Sequence, residues 1–234
     1  MAGTLREIRI RNSFREAVRA NTRFWGMTSN RSAASAIENT LKHKNPDISL
    51  NGLLKGQGKP RSALKCLEIG CESLDPAKAA ALAGIRRYDV NSVEMITLRP
   101  VAQHMRELAE LEVQELLGDM QHLYFKADYD FFIAKSMAWL LLEQGEEISA
   151  GHFFRLVHGN ARYERPKRVY FFDKPGLHEE GRPLFDMLEK GGFKMREIRP
   201  SSSWMGMIAE MKAVPGTLEI KPARGGFYME RVPL

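Results

Sequence analysis

Short polar side chains and cations recur between residues 30 and 61, and their types suit contacts with a nucleic acid. Ser49 and Asn51 carry small hydrogen-bonding groups of the kind that reach base edges in the DNA major groove. The flanking cations and one amide suit phosphate contacts, which set affinity and register without reading the base sequence. These candidate phosphate-binding residues are Asn30, Arg31, Lys42, Lys44, Lys55, Lys59 and Arg61.

The charge of the chain is distributed unevenly. Residues 1–70 hold thirteen Lys and Arg against five Asp and Glu, a net charge of +8, although the whole chain carries only +6. The remaining residues therefore carry a net charge of −2. This asymmetry predicts that the first part of the chain binds a polyanion.

A second kind of chemistry is open to the acidic residues near predicted strand ends. Carboxylates that converge at the carboxyl edge of a parallel sheet can hold Mg²⁺ for phosphodiester hydrolysis. The candidates for such a site are Asp128, Asp130, Glu164 and Asp173. Their alternative interpretation is ordinary loop carboxylates at the surface.

Other catalytic motifs are missing from the sequence. The six histidines show no metal-ligand spacing, and the chain contains no GxSxG, Walker A or GxGxxG motif. The two cysteines, Cys66 and Cys71, lack further cysteines that would complete a zinc site, so we assign them no function. We predict no catalytic residue, no metal and no cofactor.

The elements that must position these residues are short helices in the first 85 residues. Apolar residues recur at helical spacing among arginines, and Thr28-Ser29 and Asp75-Pro76 are typical helix starts. The predicted helices span Asn12 to Trp25, Asn30 to Leu41, Asp47 or Ser49 to Leu54, Pro60 or Arg61 to Ile69, and Asp75 to Leu82.

The rest of the chain begins with a predicted helix from Pro100 to Leu123. Its apolar stripe packs either on the chain itself or on a second copy. Beyond it, strands alternate with helices, which indicates an α/β unit with parallel pairing and a final antiparallel hairpin at its edge. The predicted elements are an apolar segment from Phe131, a strand at Lys167 to Phe172, a helix at Gly181 to Lys190, a strand at Phe193 to Ile198, a helix at Ser202 to Ala213, and a hairpin with its turn at Gly225-Gly226.

Two segments resemble a known family. LNGLLKGQGKPRSALKCLEIGCESLDPAKAAAL and VRANTRFWGMTSNRSAAS are similar to the helix-turn-helix domain of lambda-repressor-like (XRE-type) regulators. The resemblance covers about Phe14 to Leu82, and NTLKHKNPD adds residues that the family's compact motif lacks.

The run from FFIAKSM to RVYFFDKPG is faintly similar to NYN/PIN-type nucleases, although Ala134 stands where that family places its first acid.

Together these patterns predict a mixed fold, in which an all-α, helix-turn-helix-like N-terminal bundle precedes a small C-terminal α/β domain. The expected domains are residues 1–88 for nucleic-acid binding, 89–124 for connection and dimerisation, and 125–234 for the α/β domain.

The function that the resemblance implies is that of a cytoplasmic transcription regulator, a repressor of phage or mobile-element type. It would bind double-stranded DNA as a homodimer, without a membrane segment and without enzymatic activity. Two alternatives stay open. One is a metal-dependent nuclease, and the other is an RNA- or single-strand-binding protein that uses the basic and aromatic residues of ARYERPKRVYFF.

Overall fold

A computed structural model describes residues 4–20, 31–71, 73–118, 129–136, 167–173, 182–190, 193–201, 204–211, 217–223 and 226–232. The helices are α1 (Leu5–Arg19), α2 (Arg31–Leu41), α3 (Leu50–Gln57), α4 (Asp75–Leu82), α5 (Met95–Ala109) and α6 (Arg182–Lys190). The strands are β1 (Lys65–Ile69), β2 (Arg87–Ser92), β3 (Glu115–Leu117), β4 (Phe131–Lys135), β5 (Lys167–Asp173), β6 (Lys194–Ser201), β7 (Trp204–Met211), β8 (Thr217–Ala223) and β9 (Gly226–Val232).

Within the described residues, seven strands form one sheet in the order β3-β2-β1-β4-β5-β7-β6. The first five strands of this order are parallel. Strand β7 lies between β5 and β6 and is antiparallel to both. The chain starts at the centre with β1, moves outward through β2 and β3, and then returns to β4 on the other side of β1. The direction of winding therefore reverses between β1 and β4.

Helices α1, α2, α4 and α5 share one core with one face of the sheet. Side chains alternate between the two faces of a strand, so Cys66, Tyr88 and Phe131 point to the same side. These residues belong to one buried cluster with apolar residues of the four helices. The other face carries Phe171, whose ring meets that of Phe185 on α6 at 5.5 Å between centroids. The sheet is thus covered by helices on both faces.

Helix α1 begins seven residues before the predicted start at Asn12. Thr4 and Glu7 form a capping box, in which the Thr4 hydroxyl accepts from the Glu7 backbone N–H and the Glu7 carboxylate accepts from that of Thr4. Ile10 and Phe14, four residues apart, bury one side of the helix in the core.

Among the described residues, no helix combines the length and apolar character that crossing a bilayer requires.

The predicted helix from Pro60 or Arg61 to Ile69 is wrong. A short 3₁₀ turn at Arg61–Ala63 leads into β1, which is an inner strand of the sheet. Because β1 is covered on both faces, its apolar residues form a nearly continuous run that periodicity alone cannot separate from a buried helix. The expected all-α N-terminal bundle is therefore wrong, and the fold is an α/β sheet that already begins at Lys65.

Two other predicted helices also need correction. The segment predicted as a helix at Ser202 to Ala213 contains β7, which pairs along its length with β5 and β6. The helix predicted at Pro100 to Leu123 is α5, which starts at Met95 and ends where Glu110 adopts a left-handed conformation with φ +52°. The apolar stripe of α5 packs in the core of its own chain. The stripe therefore no longer supports homodimer formation, which stays a prediction.

Several elements agree with the predictions. Helix α4 has the predicted bounds, and Pro76 lies in its first turn. Strand β5 and helix α6 lie where the sequence places them, and β4 occupies the start of the apolar segment from Phe131. The final hairpin is also present, but β8 and β9 form a separate two-stranded sheet rather than an edge of the main one. The predicted domain boundaries at residues 88 and 124 stay predictions.

Candidate functional site at the carboxyl edge of the sheet

The carboxyl ends of β1, β2 and β4 meet at one edge of the sheet, which we call the carboxyl edge. The opposite edge, where these parallel strands begin, is the amino edge. In open α/β sheets, ligands bind outside the carboxyl ends of the strands, at the point where the winding direction reverses. In this chain that point lies between β1 and β4. The carboxyl edge is therefore the place where a binding site is expected.

The loop after β1 turns sharply into helix α4. Gly70 adopts φ +66°, a left-handed conformation that glycine takes without steric cost. The backbone N–H of Cys71 then donates to the carbonyl of Asn91 on β2, over 2.7 Å. The loop is thereby fixed to the neighbouring strand, and its glycine lets a ligand approach the backbone closely.

Lys135, the last residue of β4, joins this loop from the other side of the winding reversal. Its ammonium donates to the Ser73 hydroxyl at 2.7 Å and lies 3.4 Å from the Asp75 carboxylate. Asp75 is buried at the first turn of α4, where a negative charge also interacts favourably with the helix dipole. Lys135 therefore holds the loop and the start of α4 against the sheet.

A buried carboxyl group lies beneath the same loop. Glu68 on β1 is 1% exposed and accepts a hydrogen bond from the Tyr88 hydroxyl at 2.7 Å. Burial raises the pKa of Glu68 to about 8, against the lowering effects of the Tyr88 hydrogen bond and the Lys135 charge. Glu68 is consequently protonated and neutral over most of the range below pH 8.

The two cysteines lie next to Glu68. Both are buried, and this burial raises the pKa of the Cys66 and Cys71 thiols well above the ordinary value. A protonated, buried thiol is a poor nucleophile and a poor metal ligand. The arrangement gives these residues a packing role beneath the loop.

The carboxyl ends of β2 and β3 carry apolar side chains exposed to solvent. Val93 and Ile96 are 68% and 89% exposed, and Met95 and Leu117 are also exposed. Leu117 pairs with Ser92, and the Gly118 N–H donates to the Ser92 carbonyl at 2.9 Å, so the two strand ends are held together. We call the four residues Val93, Met95, Ile96 and Leu117 the apolar shelf.

An exposed carboxylate accompanies the apolar shelf. Glu94 lies two residues after β2, and its backbone N–H donates to the Ser92 hydroxyl at 3.2 Å. Its carboxylate accepts from the Thr97 hydroxyl at 3.2 Å. Further acceptor positions on the carboxylate stay open to solvent. The shelf therefore combines apolar surface with one acceptor for the hydroxyl groups of a ligand.

The residues proposed for reading bases lie elsewhere. On α3, Asn51 is exposed as predicted, with Leu50 and Leu53 in the core. Its side-chain oxygen accepts from the Arg61 guanidinium, which also donates to the Ala83 carbonyl at 2.9 Å. Ser49 is fully buried, so its hydroxyl is not presented to a partner.

The proposed phosphate contacts are partly engaged within the chain. Lys42 pairs with Glu7 and Glu38 at 2.5 and 3.1 Å, and Lys59 pairs with Asp130 at 2.8 Å. Lys44 and Lys55 are exposed, Arg31 begins α2, and Asn30 lies outside the described residues. The partners of Lys59 and Arg61, at the start of β4 and the end of α4, place both near the amino edge. Binding of nucleic acid by these residues stays a prediction.

The acids proposed for a nuclease do not converge. Asp130 precedes β4 at the amino edge, whereas Asp173 ends β5 at the carboxyl edge, roughly 20 Å away along the strands. Asp128 and Glu164 lie outside the described residues. Among the residues that are described, no group of three His, Cys, Asp or Glu side chains is arranged to hold a metal ion.

Comparison with known proteins identifies the fold. No family model and no curated protein matches the sequence. Among solved structures, the chain is similar to a SAM-dependent methyltransferase from Aquifex aeolicus, with a TM-score of 0.52, 12% identity and coverage of 76% of this chain and 97% of that one. It is also similar to magnesium protoporphyrin IX methyltransferase (ChlM) from Synechocystis PCC 6803 with bound SAM, with a TM-score of 0.52, 15% identity and coverage of 90% and 98%.

This likeness shows the fold, and it overturns the earlier interpretation. The described residues between Phe14 and Leu82 do not form a lambda-repressor-like domain, because this segment contains β1, an inner strand of the sheet. The interpretation as a DNA-binding repressor is wrong, as are the nuclease and RNA-binding alternatives. The expectation of a protein without enzymatic activity rested on the same resemblance and is also wrong.

Sequence reasoning missed Gly70, Ser73, Glu94 and Lys135. The signal was the segment KCLEIG followed by DPAKAAAL, an apolar run that ends in glycine just before a helix start. Read as strand, turn and helix, it marks the carboxyl end of a central strand. Assigning KCLEI to a helix hid this signal.

Proposed function

We propose that this protein is a methyltransferase that uses S-adenosylmethionine as its methyl donor. The observation that carries the proposal is the apolar shelf with Glu94, at the carboxyl edge of a sheet whose strand order is that of the methyltransferase fold. The likeness to two solved methyltransferases supports the fold, whereas the activity depends on the chemistry of this edge.

The side chains at the edge fit the adenosine part of the donor. Ile96 and Val93 offer apolar surface on which a flat purine ring can lie. The Glu94 carboxylate offers acceptor atoms for ribose hydroxyls, the role that an acid after the second strand fulfils in dinucleotide-binding sheets. The loop at Gly70 allows the remainder of the donor to lie close to the backbone.

The contribution of the chain to the reaction is positioning. When bound, S-adenosylmethionine supplies a methyl group on a positively charged sulfur atom. Direct transfer requires the acceptor atom to be held about 3 to 3.5 Å from the reacting carbon and in line with it. Lys135, Ser73 and Asp75 fix the loop on which this alignment depends, because they connect it to β4 and α4.

Calorimetric titration of the purified full chain tests the proposal. We expect S-adenosylmethionine and its demethylated product, S-adenosylhomocysteine, to bind with a Kd between about 1 µM and 1 mM, the usual range of enzyme–substrate affinities. ATP and NAD⁺ share the adenosine group and serve as controls that should bind at least ten times more weakly. The proposal fails if neither methyl-donor ligand binds, or if ATP and NAD⁺ bind as well as they do.

Three earlier predictions are not tested by the fold. A cytoplasmic location, a homodimer and contact with double-stranded DNA stay predictions. The methyltransferase proposal requires none of them.

A further inference from the structure

Helix α1 runs from the amino edge of the sheet towards the carboxyl edge. Near its start, Arg6 donates to the carbonyl of Ala81 at the end of α4, over 2.9 Å. Near its end, the ring of Phe14 lies 4.7 Å below the ammonium of Lys78, in the first half of α4. The two helices are therefore antiparallel. With a rise of about 1.5 Å per residue, the residues after Phe14 lie level with Asp75 and beyond it.

Helix α2 reaches the same end of the molecule. The Trp204 indole N–H donates to the Ser32 hydroxyl at 2.9 Å. Because β7 is antiparallel to β5 and begins opposite its last residues, Trp204 lies at the carboxyl edge. The last turn of α1 and the first turn of α2 thus both lie at the end of the molecule that carries the carboxyl edge.

The arginines of α1 differ in their ion pairs along the helix. In its first half, Arg6 and Arg9 pair with Glu110, and Arg11 pairs with Glu38 at 2.6 Å. In its second half, Arg15 and Arg19 are exposed, and neither forms an ion pair with any residue that the structure describes. Among the described residues, the arginines of α1 are therefore ion-paired near the amino edge, which we call its balanced end, and without ion pairs near the carboxyl edge, which we call its unbalanced end.

Within the described part of the chain, this unbalanced pair forms no ion pair that would stabilise the fold. Arg15 and Arg19 lie four residues apart on one face of the helix, where two like charges repel each other. The neighbouring Glu16 is also exposed and pairs with neither of them within the described part of the chain. Such a pair is explained more readily by a bound anion than by stability.

We infer that the methyl acceptor carries a negatively charged oxyanion, a carboxylate or a phosphate, that binds to Arg15 and Arg19. This inference rests on the proposed function. Planar guanidinium groups suit both oxyanions, because each presents paired N–H donors to two oxygen atoms. The bound anion would lie over α1 while the rest of the acceptor extends to the carboxyl edge.

The position of α4 gives the acceptor a minimum length. All residues of α4 except Lys78 are buried, and α1 packs against it. The end of α1 is therefore separated from the strand ends by one helix diameter, about 10 Å. The acceptor should consequently carry its charge at least that far from the atom that is methylated.

The test uses two oxyanion probes and two matched double variants of the full chain. Inorganic pyrophosphate represents a phosphate group and citrate represents carboxylates. Arg15→Gln with Arg19→Gln removes the unbalanced cations. Arg9→Gln with Arg11→Gln removes the same charge from the same helix at its balanced end. Binding of each probe is titrated at low salt in the presence of S-adenosylhomocysteine, and circular dichroism verifies folding.

We expect the first variant to bind the preferred probe at least ten times more weakly than the parent, and the second to bind it within a factor of two. The probe that shows this difference identifies the group as phosphate or carboxylate. Equal probe binding by both variants, or no probe binding by the parent, overturns the inference. Binding of S-adenosylhomocysteine is measured in the same samples, so failure of the proposed function appears separately, as loss of that binding in every sample.

Discussion

The Lys135 ammonium lies 2.7 Å from the Ser73 hydroxyl and 3.4 Å from the Asp75 carboxylate, and thereby joins β4 to the start of α4. These residues are separated by about sixty positions in the chain, and they meet because β1 and β4 are neighbours in the sheet. Asp75 is 1% exposed, so its charge is compensated within the protein, and Lys135 is one of its partners.

Replacing Lys135 by Met should destabilise the fold. The substitution breaks the ion pair of Lys135 with the buried Asp75 carboxylate, and breaking a buried pair by removing one partner costs about 3 kcal/mol. Urea unfolding measures the loss. Lys44→Met, at an exposed lysine, is the control and should change stability by less than about 0.5 kcal/mol. If Lys135→Met unfolds at the same urea concentration as the control, the ion pair does not hold the loop.

Glu68 should make stability depend on pH. Because its pKa is raised to about 8 in the folded state, the folded chain binds more protons than the unfolded chain between about pH 4.5 and 8. Its contribution to stability is therefore fully present below pH 4.5 and decreases as the pH rises towards 8. Glu68→Gln keeps a neutral side chain of similar size and should remove this dependence.

The measurement is the free energy of unfolding of the parent and of Glu68→Gln at several pH values from 5 to 8. The free energy of unfolding of Glu68→Gln minus that of the parent should increase by up to about 1.4 kcal/mol for each unit by which the pH rises. Taking this difference cancels the titration of groups that both proteins share. Parallel pH profiles would mean that Glu68 is ionised in the folded chain.

Ile96→Asp should weaken binding of S-adenosylhomocysteine at least tenfold. The substitution places a charge on the apolar shelf, where the purine ring is expected to displace water. Leu5→Asp is the matched control, since Leu5 is 79% exposed on α1, near the amino edge. Calorimetric titration of both variants compares the two positions. Equal affinities would exclude the shelf from the donor site.

Glu94→Ala should also weaken the binding of S-adenosylhomocysteine by about tenfold. The ribose hydroxyls lose a charged hydrogen-bond acceptor worth about 1.5 kcal/mol or more. Glu107→Ala removes an exposed carboxylate from the other end of α5 and serves as the control. Adenine, which lacks the ribose, should bind the parent and Glu94→Ala equally. A tenfold loss for adenine as well would point to a structural effect of Glu94.

The parts of the fold that the sequence predicts well are those with clear local signals. Asp75-Pro76 identifies the start of α4, and Lys167–Asp173 is a strand bounded by Pro166 and the following Lys174-Pro175. The inner strand β1 lacks such a signal, because burial on both faces removes the alternation that distinguishes a strand from a helix. Strand β7 was missed since its pairing with β5 and β6 overrides its local pattern.

The candidate site was harder to predict than the elements. Glu94 and Lys135 can be placed at the same carboxyl edge only when the strand order is known, and nothing in their local sequence gives that order. Asn51 illustrates the opposite problem. It lies on the exposed side of an amphipathic helix, as expected, yet many helices share this arrangement and it does not identify a helix-turn-helix.

The hydrogen bond between Ser32 and Trp204 joins residues 172 positions apart, which has a consequence for synthesis on the ribosome. At 5 to 20 residues per second, Ser32 is made roughly 10 to 30 s before Trp204. During that interval α2 can pack on α4, but its contacts with β6 and β7 must wait. The first helices of the chain therefore complete their packing only after Trp204 has been translated, and a chaperone that shields α2 would act in this interval.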